Sequence, residues 1–539
     1  MSVSSRTPVA VGRSRRIVSR LLRLRWRHLR DTERMKRFAR QCLERAWARP
    51  RAIPAKVRSA AERARARLRA FVVRVQLRTE NTTGSRWRVI SLGPQRLLSR
   101  VILLGFDRWY ARIYRRVLSD PGVPLLSPGE VNNALVLSVI GSLGPGGAER
   151  QLVNTLRGTF TRGYRDLAVV AQYLDDEVSG FFRSALSEFS IPTETLRRGP
   201  DIIDVGLQEH PDNARLRAFV TRHRRKLPDE IGDVWAYVRE LVARKPAVFH
   251  GWLDEVNAKA GLAAAIVGVP RIVLSTRSVA PYHFGLFQPF MREAYRALAR
   301  LPQVTILSNS DAGARDYERW LRLPAGTIKT IHNGFDFSVL SVDRDLERRR
   351  AYRERLGLPD DCLVVGTVIR FSEEKRPIFW LETARHVASR NRSVRFLMVG
   401  DGPQRDEVAR LATEHGISDR VVLPGRETKP LDAIASMDLF LLTSRQEGFP
   451  NVLIEAQAMG VPVVSSDSGG ARETFVDGRT GWLIARDTPE EAAALVERAL
   501  ADRGALSAAG AAGAHHVRST FDAASMVTQT LEVYGLRPR

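Results

Sequence analysis

The sequence predicts an α/β protein of two doubly wound parallel-sheet domains, preceded by a basic α-helical N-terminal region. From Ala134 onward, short β-branched or Leu-rich runs alternate with helical segments in two successive series, the signature of buried parallel strands covered by helices. The charge is confined to one end: residues 1–130 hold 32 Lys+Arg against 8 Asp+Glu, whereas the other 409 residues hold 53 against 51. The net charge of +26 is therefore a property of the N-terminal region, and the body is not a general polyanion binder.

The 539-residue length suits about three to four domain-sized units, each able to bury a core. A chain with 44% hydrophobic and 27% charged residues is neither collagen-like, coiled-coil nor disordered. Its two cysteines, Cys42 and Cys362, lie far apart, which excludes a disulfide framework and a zinc cluster and fits a reducing cytosol. No run approaches the roughly 18–20 apolar residues that cross a bilayer, and no apolar secretory core precedes the first Arg cluster. The expected location is cytoplasmic, extending to the inner face of the cytoplasmic membrane if the basic region attaches there.

Within residues 1–130 the elements read as amphipathic helices. One spans roughly residues 17–47. A second carries Val57, Ala60, Ala64, Leu68, Phe71, Val72 and Val75, and a third carries Leu98, Val101, Ile102, Phe106, Trp109, Tyr110, Ile113 and Val117. Pro50 and Pro54 separate the first two, and Pro121, Gly122, Pro124 and Pro128 form a linker before the body. The first strand series is 134–140, 166–174, 247–252, 271–277 and 304–310; the second is 363–370, 394–400, 420–425, 439–444 and 461–466. The expected domains are 1–130, 131–335 and 336–520, with a C-terminal helix over 521–539.

In open α/β sheets ligands bind beyond the carboxyl ends of strands. Gly146 and Gly147, in GSLGPGGAER, follow the first strand and open a helix, where glycine admits a close backbone approach and the helix N-terminus favours an anion. The motif is not a dinucleotide-binding GxGxxG with a placed acidic residue. Ser275 and Arg277 end another strand and are candidates to face an acceptor. Glu447 follows the strand 439–444, and Glu455 lies on a helical stretch beyond it. With largely helical chain between them, the two carboxylates would stand about 12 Å apart, a span that suits the two ends of a nucleotide sugar.

Glu447 and Glu455 have seven residues between them, and other signatures occur in order: Arg370 and Lys375 in VIRFSEEKRP, the Gly400-Asp401-Gly402-Pro403 turn, Thr443-Ser444, and PVVSSDSGGARE. From about residue 132 to the C-terminus the chain resembles the family 4 retaining glycosyltransferases of GT-B fold. The resemblance implies that Glu455 holds the donor ribose and Glu447 contacts the donor sugar. It implies that Arg370 and Lys375 neutralise the diphosphate, and that the backbone through Gly448, Phe449, Pro450, Asn451, Val452 and Leu453 lines phosphate and sugar. Gly146 and Gly147 match the family's phosphate-facing glycine loop, and His250 resembles its active-site histidine. Asn333-Gly334 matches an interdomain turn, and Asp343-Arg344-Asp345, in a charged linker, is given no metal role.

The expected function is transfer of a sugar, with retention, from a nucleotide-diphosphate donor to a hydroxyl of a glycan or lipid-linked acceptor, in envelope polysaccharide or glycoconjugate synthesis. No cofactor or metal is expected. Arg-rich amphipathic helices suit an anionic membrane surface through residues 1–130, or alternatively a helical arm packed on the body. No nucleic acid is expected, since charge comes without a binding motif. A nucleotide-sugar epimerase of similar fold and a catalytically inactive membrane-associated scaffold remain as alternatives.

Overall fold

A computed structural model describes residues 92–199, 201–284, 287–338, 346–359 and 361–536. The helices expected over 17–47 and 57–75, together with Cys42 and residues 343–345, lie outside the described residues. Strands β1 (Asn132–Ile140), β2 (Leu167–Ala171), β3 (Thr193–Thr195), β4 (Pro246–Trp252), β5 (Arg271–Thr276), β6 (Val304–Ser308) and β7 (Lys329–Thr330) form one sheet in the order β3-β2-β1-β4-β5-β6-β7. All its pairings are parallel. Neighbouring residues of a central strand point to opposite faces, and each face has its own core. Leu137, Val139, Phe249, Ile272 and Leu274 pack on one side; Val136, Ile140, Val248, Trp252 and Val273 pack on the other.

The second sheet repeats the plan. Strands β8 (Leu363–Val368), β9 (Val394–Val399), β10 (Val421–Gly425), β11 (Leu439–Leu442), β12 (Val463–Ser466) and β13 (Gly481–Ile484) are parallel in the order β10-β9-β8-β11-β12-β13. The ten expected strands all form; β3, β7 and β13 are additional. These three are edge strands, and β3 (Thr-Glu-Thr) and β7 (Lys-Thr) lack an apolar run because an edge strand is buried on fewer sides.

Helix Leu92–Leu118 uses the third apolar stripe. Tyr110, Tyr114 and Val117 are buried in the first core, and Leu125 and Leu126 follow, their amides bonding to the carbonyls of Ile266 and Val267. Residues 106–126, grouped by charge with the basic extension, thus pack as part of the first α/β domain. Arg108, Arg112, Arg115 and Arg116 are exposed, on the side of the helix opposite Tyr110, Tyr114 and Val117. No helix among the described residues is long and apolar enough to cross a membrane.

The chain crosses between the domains twice. Phe335 and Asp522 meet at the crossing, where the Phe335 amide donates to the Phe521 carbonyl at 2.9 Å. Gly334 lies there too: a Cβ on it would come within 2.8 Å of both Ala523 Cα and Met526 Cβ. Helix Ala523–Tyr534 then returns to the first domain and buries Met526, Val527, Leu531 and Tyr534 against Leu152, Leu156 and Trp252.

Candidate active site

Each strand order reverses at one central point, between β1 and β4 in the first sheet and between β8 and β11 in the second. Loops leaving such a pair diverge and open a crevice at the carboxyl ends. Gly146 and Gly147 follow β1, His250 is in β4, Arg370 and Lys375 follow β8, and Glu447 follows β11. The expected residues therefore fall on the four strands that flank the two reversals.

Two helix N-termini converge there, one from each domain. Helix Gly147–Thr161 starts at Gly146, and helix Asn451–Ala458 starts at Pro450, neither with a side-chain cap. A Cβ on Gly147 would lie 3.1 Å from Asn451 Nδ2, and Asn451 Oδ1 accepts from Asn333 Nδ2 at 2.6 Å. The Glu149 carboxylate folds back over Gly146 at the start of the first helix, and the Leu453 amide donates to the Pro450 carbonyl at 3.1 Å; both helix dipoles present their positive ends to the crevice. Gly448 permits a second close approach, since a Cβ there would lie 2.5 Å from the Arg277 carbonyl oxygen. Phe449 and Leu453 turn their side chains into apolar clusters, so what they offer a ligand is backbone. Pro450 is buried and Val452 half-buried.

Each glutamate has its own cation. Lys375 Nζ donates to Glu447 Oε1 at 2.6 Å, and Arg150, reaching from the first domain, pairs with Glu455. Helix begins only at Asn451, so the chain from Glu447 to Pro450 is irregular and the two carboxylates are not the ends of one continuous helix. Arg370 is exposed and has no side-chain partner among the described residues. Its loop is held by the glycine turn: the Phe371 amide donates to Asp401 O at 3.0 Å, and a Cβ on Gly400, at φ +130°, would lie 1.8 Å from the Ile369 carbonyl oxygen. Gly469 and Gly470 similarly allow the loop after β12 to lie on the backbone of Glu447 and Gly448.

His250 is placed differently from the expectation of a histidine beside the reacting sugar. It is buried, its Nδ1 is 2.6 Å from Tyr534 Oη, its Nε2 is 2.7 Å from Ser275 Oγ, and its ring stacks 4.5 Å from Trp252. Burial, with the Arg277 charge nearby, holds its pKa well below the ordinary histidine value. It is a neutral support for Trp252, both ring nitrogens being engaged within the fold.

Sequence reasoning missed Arg150, Trp252 and Glu473. Arg150 had a signal in its position on the first turn after the glycine loop. Glu473, from the second domain, accepts from the Asp311 and Ala312 amides, each at 2.8 Å, and so caps helix Asp311–Leu321 of the first domain. Nothing local in the sequence announces such a pairing. Among the described residues no cluster of three His, Cys, Asp or Glu side chains is placed to hold a metal ion.

Residues 348–516 match the family model of glycosyl transferases group 1. The chain is 31% identical over 356 residues to the Vi polysaccharide biosynthesis protein VipC/TviE of Salmonella typhi, covering 64% of this chain and 61% of that protein. It is 31% identical over 297 residues to the alpha-D-kanosaminyltransferase of Streptomyces kanamyceticus, covering 53% of this chain and 72% of the relative. In fold it resembles Anabaena Alr3699/HepE, solved with UDP, at a TM-score of 0.58 and 22% identity over 74% of this chain and 99% of that one. The chain belongs to the group 1 glycosyl transferases and has their GT-B architecture.

Proposed function

We propose that this glycosyltransferase moves a sugar, with retention of anomeric configuration, from a nucleoside-diphosphate donor to a hydroxyl of a glycan or lipid-linked acceptor in envelope polysaccharide or glycoconjugate synthesis. The observation that carries the reading is the convergence of the uncapped N-termini at Gly147 and Asn451, flanked by the Lys375–Glu447 and Arg150–Glu455 pairs. A diphosphate fits two helix ends and nearby cations. Glu455 takes the ribose hydroxyls, with Arg150 orienting it, and Glu447 takes the donor sugar, oriented by Lys375. As the glycosidic bond lengthens, positive charge grows on the sugar and negative charge on the leaving phosphate. Arg370, Lys375 and the helix ends stabilise the latter, and these interactions strengthen in the transition state. The acceptor hydroxyl attacks from the face the nucleotide leaves, its oxygen bonding to the anomeric carbon as the bond to the phosphate breaks, and its proton passes to the departing phosphate oxygen.

The relatives support the reading: HepE was solved with UDP and with UDP-glucose, and the Salmonella relative is named for polysaccharide biosynthesis. The Arg-rich region 1–130 is proposed to attach the protein to an anionic membrane surface at the cytoplasmic face. The test is calorimetric binding of UDP-, GDP- and ADP-sugars, then acceptor-dependent nucleotide release with and without anionic vesicles, and NMR of the product anomer. Release abolished in Glu447→Ala, with a retained anomer, supports transfer. An altered donor sugar without an acceptor indicates an epimerase, and an inverted product refutes retention. Activity is expected to persist in EDTA.

A further inference from the structure

One cation in the crevice is not used by the mechanism above. Arg277 directly follows β5, and its guanidinium lies over the indole of Trp252, with Cζ 4.6 Å from the ring centroid. Trp252 rests on His250, and His250 is fixed by Ser275 and Tyr534. Four side chains from β4, β5 and the returning C-terminal helix thus form a column that ends in a guanidinium. The backbone of Arg277 is also where the first domain touches Gly448, next to Glu447.

The guanidinium forms no hydrogen bond or ion pair among the described residues, and its Nε is buried without a partner. Glu149, on the first turn of the glycine-loop helix, acts on it electrostatically without closing an ion pair. Burial lowers the Arg277 pKa to about 9, so the group stays charged at neutral pH. A half-buried, unpaired charge is costly to keep. The crevice carboxylates Glu447 and Glu455 are already paired with Lys375 and Arg150. The diphosphate reading calls on Arg370, Lys375 and the two helix ends, leaving Arg277 uncommitted. An Arg stacked on an aromatic face keeps its in-plane N–H edge for a bidentate oxyanion.

We propose that Arg277 determines specificity by binding the carboxylate of an acidic sugar, a hexuronate-type ring presented by the donor or by the acceptor. The proposal rests on the glycosyltransferase reading above. It predicts that Trp252 and His250 act as positioning residues for the guanidinium.

The test uses the full-length chain. UDP, GDP and ADP are titrated first; failure of all three and of their sugar conjugates to bind refutes the donor reading and this proposal with it. Where a nucleotide binds, its glucuronate and glucose conjugates, and its galacturonate and galactose conjugates, are compared by calorimetry. In the acceptor arm, nucleotide release is followed with trigalacturonate and with its neutral methyl ester. The wild type is expected to favour the acidic member of a pair about ten-fold or more in one arm. Arg277→Gln is expected to abolish that preference, with affinity for the bare nucleotide held within about two-fold, while Arg277→Lys keeps part of it. Equal use of acidic and neutral members in both arms overturns the proposal. So does a loss of bare-nucleotide affinity in Arg277→Gln as large as the loss for the sugar conjugate, which would assign Arg277 to the diphosphate. If Arg277→Gln fails to fold, the wild-type comparison decides alone.

Discussion

Glu473→Ala should loosen the two domains without damaging either core. The Glu473 carboxylate takes the first two free amides of helix Asp311–Leu321, Asp311 and Ala312, at 2.8 Å each, and also lies 3.1 Å from His332 Nε2. Ser310 caps the next amide, that of Gly313, at 3.0 Å, so the helix keeps a cap of its own when Glu473 is gone. Losing a capping acceptor costs about 0.5–2 kcal/mol, and losing a carboxylate from a helix N-terminus costs about 0.3–1 kcal/mol more. Together, about 1–3 kcal/mol of bias toward the observed arrangement should disappear, a factor of roughly 5–150 in the equilibrium between closed and open domains. Single-molecule energy transfer between labels on the two domains reads this directly, with thermal unfolding as the control. The expected result is a broadened, longer inter-label distance and a raised KM for the donor. An unchanged distance distribution would refute the idea that this cross-domain cap holds the crevice shut.

Glu447→Gln should lower kcat by about 10²–10³-fold, the usual cost of removing one preorganised polar partner in an active site, and a variant retaining a tenth of the wild-type rate of nucleotide release would remove Glu447 from the mechanism. Gly147→Val should weaken nucleotide binding with little change in melting temperature, because even a Cβ at this position is only 3.1 Å from Asn451 Nδ2; calorimetry that finds wild-type affinity would contradict the convergence of the two helix ends. Leu531→Ala, in the returning helix and fully buried, should cost about 2–5 kcal/mol in urea unfolding of the first domain. His250 has its pKa depressed in the fold, so below about pH 6.5 the unfolded chain binds a proton that the folded chain does not, and stability falls as pH drops. Between about pH 6.5 and 5 the wild type should therefore lose stability relative to His250→Asn, and a constant stability difference between the two over that range would contradict the depressed pKa.

Much of the fold was legible because its signals are local. The apolar runs at 134–140, 247–252, 363–370 and 439–444 are short, bounded and long enough to be fully buried, which is why they formed β1, β4, β8 and β11. Gly146, Gly147, Arg370, Lys375 and Glu447 were singled out by strand end and motif together, and the structure places them after three of the four strands at the sheet reversals. Strands β3 and β7 were not legible, since Thr-Glu-Thr and Lys-Thr hold no hydrophobic pattern and pair only because a neighbouring edge is already built. The role of the 106–126 segment was hidden for a different reason: charge composition reports the exposed side of a helix, and the packing of Tyr110 and Tyr114 is on the other side.

By itself the sequence determined two parallel α/β domains and the confinement of charge to one end, and it singled out the ordered residues proposed here for a donor site. Each depends on periodicity or spacing over a few neighbouring residues, and such patterns survive without knowledge of distant contacts. Only the tertiary structure decided that Arg150 pairs with Glu455 across 305 residues of chain, that Glu473 caps a helix of the other domain, and that His250 is a buried support for Trp252 and Arg277. A carboxylate, a guanidinium or an imidazole is chemically the same at any point in the chain. What it does is set by its burial and by the partner that folding brings to it, and both are properties of the packed molecule.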